Sequence, residues 1–164
     1  MAYTMHRIFC AAPAELEPER QAFLKVVSAL NEAEAMPRSL LLVPISIMPY
    51  VTNKLAFQSA MDANVRACRF FVQLLQDTWG PPERSFEAEY KLAAQLSEDP
   101  ASLMKGMALF FKAADGLEVD PGIRELKESA QSRNGSAAYE FASLEQYRQQ
   151  LQSQLSAWLR AIDA

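Results

Sequence analysis

The chain alternates short apolar runs with stretches in which apolar residues recur at helical spacing. Strand-like runs occupy five segments, residues 7–11, 39–47, 70–75, 104–111 and 138–141. Helical spacing follows each of them, beginning near Glu15, Phe57, Glu83, Ile123 and Ser143. Because apolar runs rich in strand formers favour β-structure and the 3.6-residue period favours helices, the pattern predicts five β-α units.

Two features of the strand-like runs predict how they are arranged. Strands that alternate with helices form a parallel, doubly wound sheet covered by helices on both faces. Residues 70–75 are apolar nearly throughout, as expected for a central strand. Pro44 cannot donate a ladder hydrogen bond, so the second strand belongs at a sheet edge. The order 2-1-3-4-5 meets this requirement. Residues 1–164 are therefore predicted to form one three-layer α/β domain.

Composition narrows the classes of partner. The 164 residues carry a net charge of −4, which argues against a nucleic-acid partner because such binding needs a basic face. The cysteines Cys10 and Cys68 and the single His6 are too few for a disulfide framework or a usual metal site, so we expect no metal and no cofactor. Residues 1–7 lack the apolar stretch of a signal peptide, and no apolar run reaches membrane-spanning length. These features predict a cytoplasmic protein without a membrane partner.

The candidate site is the crevice at the carboxyl ends of strands 1 and 3. The strand order reverses there, at the topological switch point, and sheets of this order bind ligands at that position. The loops there are residues 11–15 and 76–85. The helices after them begin with glutamates, namely Glu15, Glu17, Glu19, Glu83, Glu87 and Glu89. Acidic residues in a first helical turn favourably meet the positive end of the helix dipole, and we interpret Glu17, Glu19 and Glu83 in this way. Glu15 fits either a cap or a site residue. No Gly-rich phosphate loop is present, which argues against a classical dinucleotide fold and a P-loop ATPase.

Several short motifs occur together along the chain. They are residues 8–20, with Glu15-Leu16 and Glu19-Arg20; Phe57-Gln58; residues 68–72; residues 80–93, with Ser85 and Glu87-Ala88-Glu89-Tyr90; and residues 139–159. This set resembles a TIR-like family catalogued as a domain of unknown function, in which an acidic-Leu-x-x-Glu-Arg sequence starts the first helix. The family's paired serines are Ala11 and Ala12 here, and its aspartate at the start of strand 3 is Arg69.

The resemblance implies a flavodoxin-like sheet related to TIR domains and nucleoside deoxyribosyltransferases. Catalytic relatives use a glutamate at the start of the third helix to act on an N-glycosidic bond, and Glu87 is the matching position. Ser85 and Trp79 would then hold the ribose and the base. The remaining candidate ligand-binding residues are Ala11, Ala12, Glu15, Asp77, Gly80 and Glu89.

Three functions remain open at this point. The first is a signalling or interaction domain of a bacterial stress or defence pathway, which associates with itself or with another signalling protein. The second is an enzyme that cleaves an N-glycosidic bond in NAD or a nucleoside. The third is a binder of a small ligand, such as a nucleotide or nucleoside, without turnover. The alanines at positions 11 and 12 favour binding or assembly, whereas the pair Glu87 and Glu89 favours the enzyme.

Overall fold

A computed structural model describes residues 2–46, 54–80, 86–132 and 137–162. The strands are β1 (Thr4–Ala11), β2 (Leu40–Ile45), β3 (Phe70–Leu75), β4 (Gly106–Lys112) and β5 (Ala137–Phe141). The helices are α1 (Glu17–Leu30), α2 (Lys54–Arg66), α3 (Glu87–Glu98), α4 (Pro121–Ser132) and α5 (Leu144–Ala161). Each predicted strand and helix is present, with ends that differ by a few residues. Residue 47 and residues 83–85, predicted to belong to β2 and α3, lie outside the described part of the chain.

The five strands form one all-parallel sheet in the predicted order β2-β1-β3-β4-β5. Helices α1 and α5 pack together on one face, over a core that contains Ile8, Val72 and Phe110. Helices α2, α3 and α4 cover the other face, over Phe9, Phe71 and Phe111. Since side chains alternate between the two faces of a strand, β1, β3 and β4 each contribute to both cores. The architecture is consistent with a flavodoxin-like fold.

The outer edge of β2 is shielded from strand addition by the Asn31 side chain as well as by Pro44. The Asn31 amide pairs with the backbone of Leu42, donating to its carbonyl at 2.9 Å and accepting from its N–H at 2.8 Å. Asn31 begins the π-helical turn Asn31–Ala35 that follows α1. Pro44 lies two residues further along and has no N–H to offer. This confirms the prediction that the proline strand lies at an edge, and Asn31 satisfies part of the outward-facing backbone.

Two other local features depend on single side chains. Ser143 caps α5, since its hydroxyl accepts the Gln146 N–H at 3.1 Å, and Gln146 Oε1 in turn accepts the Ala142 N–H at 2.8 Å. Cys10 and Cys68 are buried, and burial raises the pKa of each thiol to about 12. Within the described ranges, no helix is both long and apolar enough to cross a membrane.

Candidate functional site at the switch point

Strands β1 and β3 lie side by side, and their carboxyl ends bring the two predicted loops together. Ala11, the last residue of β1, is in register with Gln73 of β3. The Gln73 amide donates to the Ala11 carbonyl at 3.3 Å and to the Leu74 carbonyl at 3.2 Å. The loops after β1 and β3, where the crevice was predicted, therefore start side by side from this pair.

The first loop contributes packing atoms and little polar surface. Ala11 and Ala12 are both buried, Ala12 in the core beneath α1 and Ala11 in the core beneath α2 and α3. Glu15 is exposed in the short 3-10 turn Ala14–Leu16, while Leu16 is buried. Of the three first-loop candidates, only Glu15 presents a polar side chain to solvent.

The second loop is held by backbone contacts and by an aromatic pair. The Asp77 carbonyl accepts the Asp120 N–H at 2.8 Å. Trp79 is buried, with its ring centroid 5.5 Å from that of Tyr90, among apolar side chains of β3, β4 and α4. Gly80 has a φ of +105°, a conformation that strains residues with a Cβ atom. Ser85 lies outside the described residues.

Glu87 and Glu89 occupy very different surroundings at the start of α3. The Glu87 side chain is 46% exposed and forms an ion pair with Lys91 at 3.1 Å, one helical turn away. Glu89 is fully buried on the inner face of α3, in line with Phe86 and Ala93. Residues two apart on a helix face different directions, so Glu87 and Glu89 cannot line one crevice equally.

Glu89 is held at the contact between α2 and α3. The Gln58 amide of α2 donates to Glu89 Oε1 at 2.6 Å and to Asp62 Oδ1 at 3.1 Å, so one amide bridges two carboxyl groups. Glu89 Oε2 has no hydrogen-bond partner among the described residues. Burial raises the pKa of the Glu89 carboxyl, and the negative charge of Asp62 adds to this shift. The position therefore favours the neutral form of Glu89 more than water does.

We expect Glu89 to make folding stability depend on pH. The pKa of Glu89 in the folded chain lies above its ordinary value of 4.5, so the folded chain binds this proton more tightly than the unfolded chain does. Below both pKa values, ionisation of Glu89 therefore does not lower the unfolding free energy. As pH rises above 4.5 the unfolding free energy falls, and the loss is largest above the pKa of Glu89 in the folded chain.

Urea unfolding of the parent and Glu89→Gln at several pH values measures this contribution. The parent should lose stability relative to Glu89→Gln as pH rises through this window. Glu87→Gln is the matched control, since its carboxyl is half exposed, and it should show no comparable trend. A stability difference between parent and Glu89→Gln that is constant with pH, or that rises, contradicts the assignment.

Two glutamines that were not predicted as site residues also belong to the site. Gln73 is the one polar residue in the apolar run of β3, and it is fully buried with Oε1 unpaired among the described residues. A polar residue inside a central strand, next to the switch point, was the available signal. The sequence signal for Gln58 was weaker, because Gln58 appeared only as the second residue of the short motif Phe57-Gln58.

On the opposite face of the sheet, the acidic residues of α1 do more than meet the helix dipole. Glu19 is buried and pairs with Lys112 at the end of β4, with Nζ and Oε1 3.1 Å apart. Arg20 is also buried; it pairs with Glu17 and donates to the Ser46 hydroxyl at 3.1 Å. The hydrogen bond from Arg20 lowers the pKa of Glu17. The dipole interpretation of Glu17 and Glu19 was therefore incomplete, because both carboxylates also form ion pairs.

The polar groups described between α2 and α3 are the Glu89 and Asp62 carboxyls and the Gln58 amide, and the Gln73 amide lies at the end of β1. The described residues contain no group of three or more His, Cys, Asp or Glu side chains placed to hold a metal ion. No protein-family model matches the chain, and the curated proteins contain no match to it. The TIR-like resemblance therefore stays a prediction that rests on short motifs.

Proposed function

We propose that this chain is a TIR-like signalling or protein-interaction domain of a bacterial stress or defence pathway, acting by association with a second copy or another signalling protein. The observation that supports this is the packing of the residues assigned to a ligand. Ala11, Ala12 and Trp79 fill the core, and Glu87 pairs with Lys91 at the surface of α3. Side chains that pack in the core or form an ion pair stabilise the fold, so few of the side chains assigned to a ligand are available to bind a small molecule.

Light scattering of the purified chain over a range of concentrations tests this proposal. We expect the mass to rise above the 18.3 kDa of one chain as concentration increases. A mass that stays at that of one chain at the highest concentration contradicts self-association and favours a binder of a small ligand.

A second candidate function is cleavage of an N-glycosidic bond in NAD or a nucleoside, and Glu89 favours it. A buried carboxyl with a raised pKa, beside the switch point, is the type of group that enzymes use for acid-base chemistry. In hydrolysis, the bond between the anomeric carbon and the base nitrogen breaks, and the base leaves with the bonding electrons. Protonated Glu89 would give its proton to the leaving base of a nucleoside, and the carboxylate so formed would take a proton from the water that supplies the replacing oxygen.

Paired substitutions separate the two glutamates under this candidate. Glu89→Gln and Glu87→Gln each remove one carboxyl while keeping its shape. If Glu87 acts as the resemblance implies, Glu87→Gln abolishes release of nicotinamide or base, and if Glu89 acts, Glu89→Gln does so. Release of product is measured by chromatography, with urea unfolding to show that each variant folds. Turnover that survives both substitutions contradicts a role for either carboxyl.

A further inference from the structure

Side-chain amides cover backbone groups on both outer strands of the sheet. Asn31 pairs with Leu42 on β2, and the Gln150 amide donates to the Glu140 carbonyl of β5 at 2.7 Å. Covered edges disfavour the addition of a strand from another molecule. Association of the kind proposed above is therefore expected to use other surfaces, and the two ends of the sheet differ sharply in composition.

The amino end of the sheet carries apolar and basic side chains, which we call the amino-end patch: Tyr3, Met5, Arg7, Arg69, Leu103 and Lys105. All of them are exposed except Arg69, which is half-buried. Met5 is 63% and Leu103 62% exposed, high values for such residues. Tyr3, just before β1, and Met5 and Arg7 within β1 alternate along one face of the chain.

Backbone hydrogen bonds make the patch continuous across three strands. The Arg69 N–H donates to the Arg7 carbonyl at 2.9 Å, and the Lys105 N–H donates to the Arg69 carbonyl at 2.7 Å. Among the described residues, none of these three cations forms an ion pair.

The carboxyl end of the sheet exposes apolar and acidic side chains, which we call the carboxyl-end patch: Asp115, Leu117, Glu118, Leu144 and Glu145. Leu117 is 49% exposed, and Leu144 is exposed at the start of α5. These residues follow the neighbouring strands β4 and β5, which the Ala113 N–H joins by donating to the Phe141 carbonyl at 2.9 Å. Within the patch, Glu145 lies 4.0 Å from Arg148 of the same helix.

The two patches are complementary, and they lie at opposite ends of parallel strands in one molecule. We infer that a second copy of this chain docks head to tail, with its carboxyl-end patch against the amino-end patch of the first, which rests on the proposed function. A two-fold symmetric contact through either patch would bring like charges together. A head-to-tail contact is heterologous, so it extends into open chains or closes into rings.

Two double variants test this arrangement. Leu103→Glu with Lys105→Glu alters the amino-end patch, and Leu117→Lys with Glu118→Lys alters the carboxyl-end patch. All four side chains are exposed, so folding should be retained and is checked by circular dichroism. The control combines Lys25→Glu and Glu128→Lys, exposed charges on α1 and α4 outside both patches.

Sedimentation velocity at low ionic strength gives the outcome. The parent and control should assemble, and each double variant alone should associate at least about tenfold more weakly. A 1:1 mixture of the double variants should associate again, because each retains the patch that the other has lost. Salt should weaken the assembly, since exposed charges are screened.

Other outcomes overturn the inference in distinguishable ways. If the parent assembles but the double variants assemble equally well, or if their mixture forms no pair, head-to-tail docking is wrong while association itself stands. If the parent remains a single chain throughout, the inference and the self-association behind it both fail.

Discussion

Val72→Asp is expected to lower the unfolding free energy by about 3–5 kcal/mol, or to prevent folding, because it places an unpaired charge inside the central strand. Val72 is fully buried on β3, in register with Cys10 of β1 and Ala108 of β4. Neither neighbour offers a charge to compensate the new carboxylate, and the site lies far from water on both sides of the sheet. Urea unfolding followed by circular dichroism measures the loss.

The control for this substitution is Gln152→Asp on the exposed side of α5. It introduces the same side chain into water and should change stability by about 0.5 kcal/mol or less. If Val72→Asp unfolds at the same urea concentration as the parent, the central position of β3 is wrong.

Lys112→Met is expected to destabilise the fold by about 2–3 kcal/mol, because it leaves the buried Glu19 carboxylate without its cation. We place the value below that of a fully buried pair because Lys112 is one-third exposed, so water already screens part of the attraction. Adding Glu19→Gln to Lys112→Met removes the stranded charge and should restore much of the loss. Urea unfolding of the parent, the single variant and the double variant gives the three values.

A second ion pair provides the matched control for Lys112→Met. Lys127 and Glu140 are also 3.1 Å apart, but Glu140 is more than half exposed. Lys127→Met should therefore cost about 1 kcal/mol or less. Equal losses from the two methionine substitutions would show that the burial of Glu19 has no special energetic consequence.

The fold could be predicted because its determinants are local. The alternation of strand and helix periods gave the five units, and Pro44 indicated the edge strand. The Asn31–Leu42 pairing could not be predicted in the same way, since it depends on how the π-helical turn after α1 meets β2. Likewise Glu19 and Lys112 are far apart in sequence, and only the packing of α1 over the sheet brings them together.

The strand order predicts where the carboxyl ends of β1 and β3 meet, but not how the side chains there are used. Phe86 and Ala93 lie seven positions apart, two helical turns, and Glu89 falls between them on the same helical face. That phase distinguishes Glu89 from Glu87 without a structure, whereas motif matching favoured Glu87. The packing of Trp79 against Tyr90 depends on the path of the loop after β3, which the sequence pattern does not specify.

We propose that this flavodoxin-like domain acts through its surfaces and not through chemistry at the switch point. The most direct test is to incubate the concentrated parent chain with NAD and with a panel of nucleosides, and to measure released nicotinamide or free base. We expect nicotinamide and free base to be released no faster than in the absence of the protein. Release in proportion to the concentration of the parent chain would contradict it and would establish the N-glycosidic activity instead.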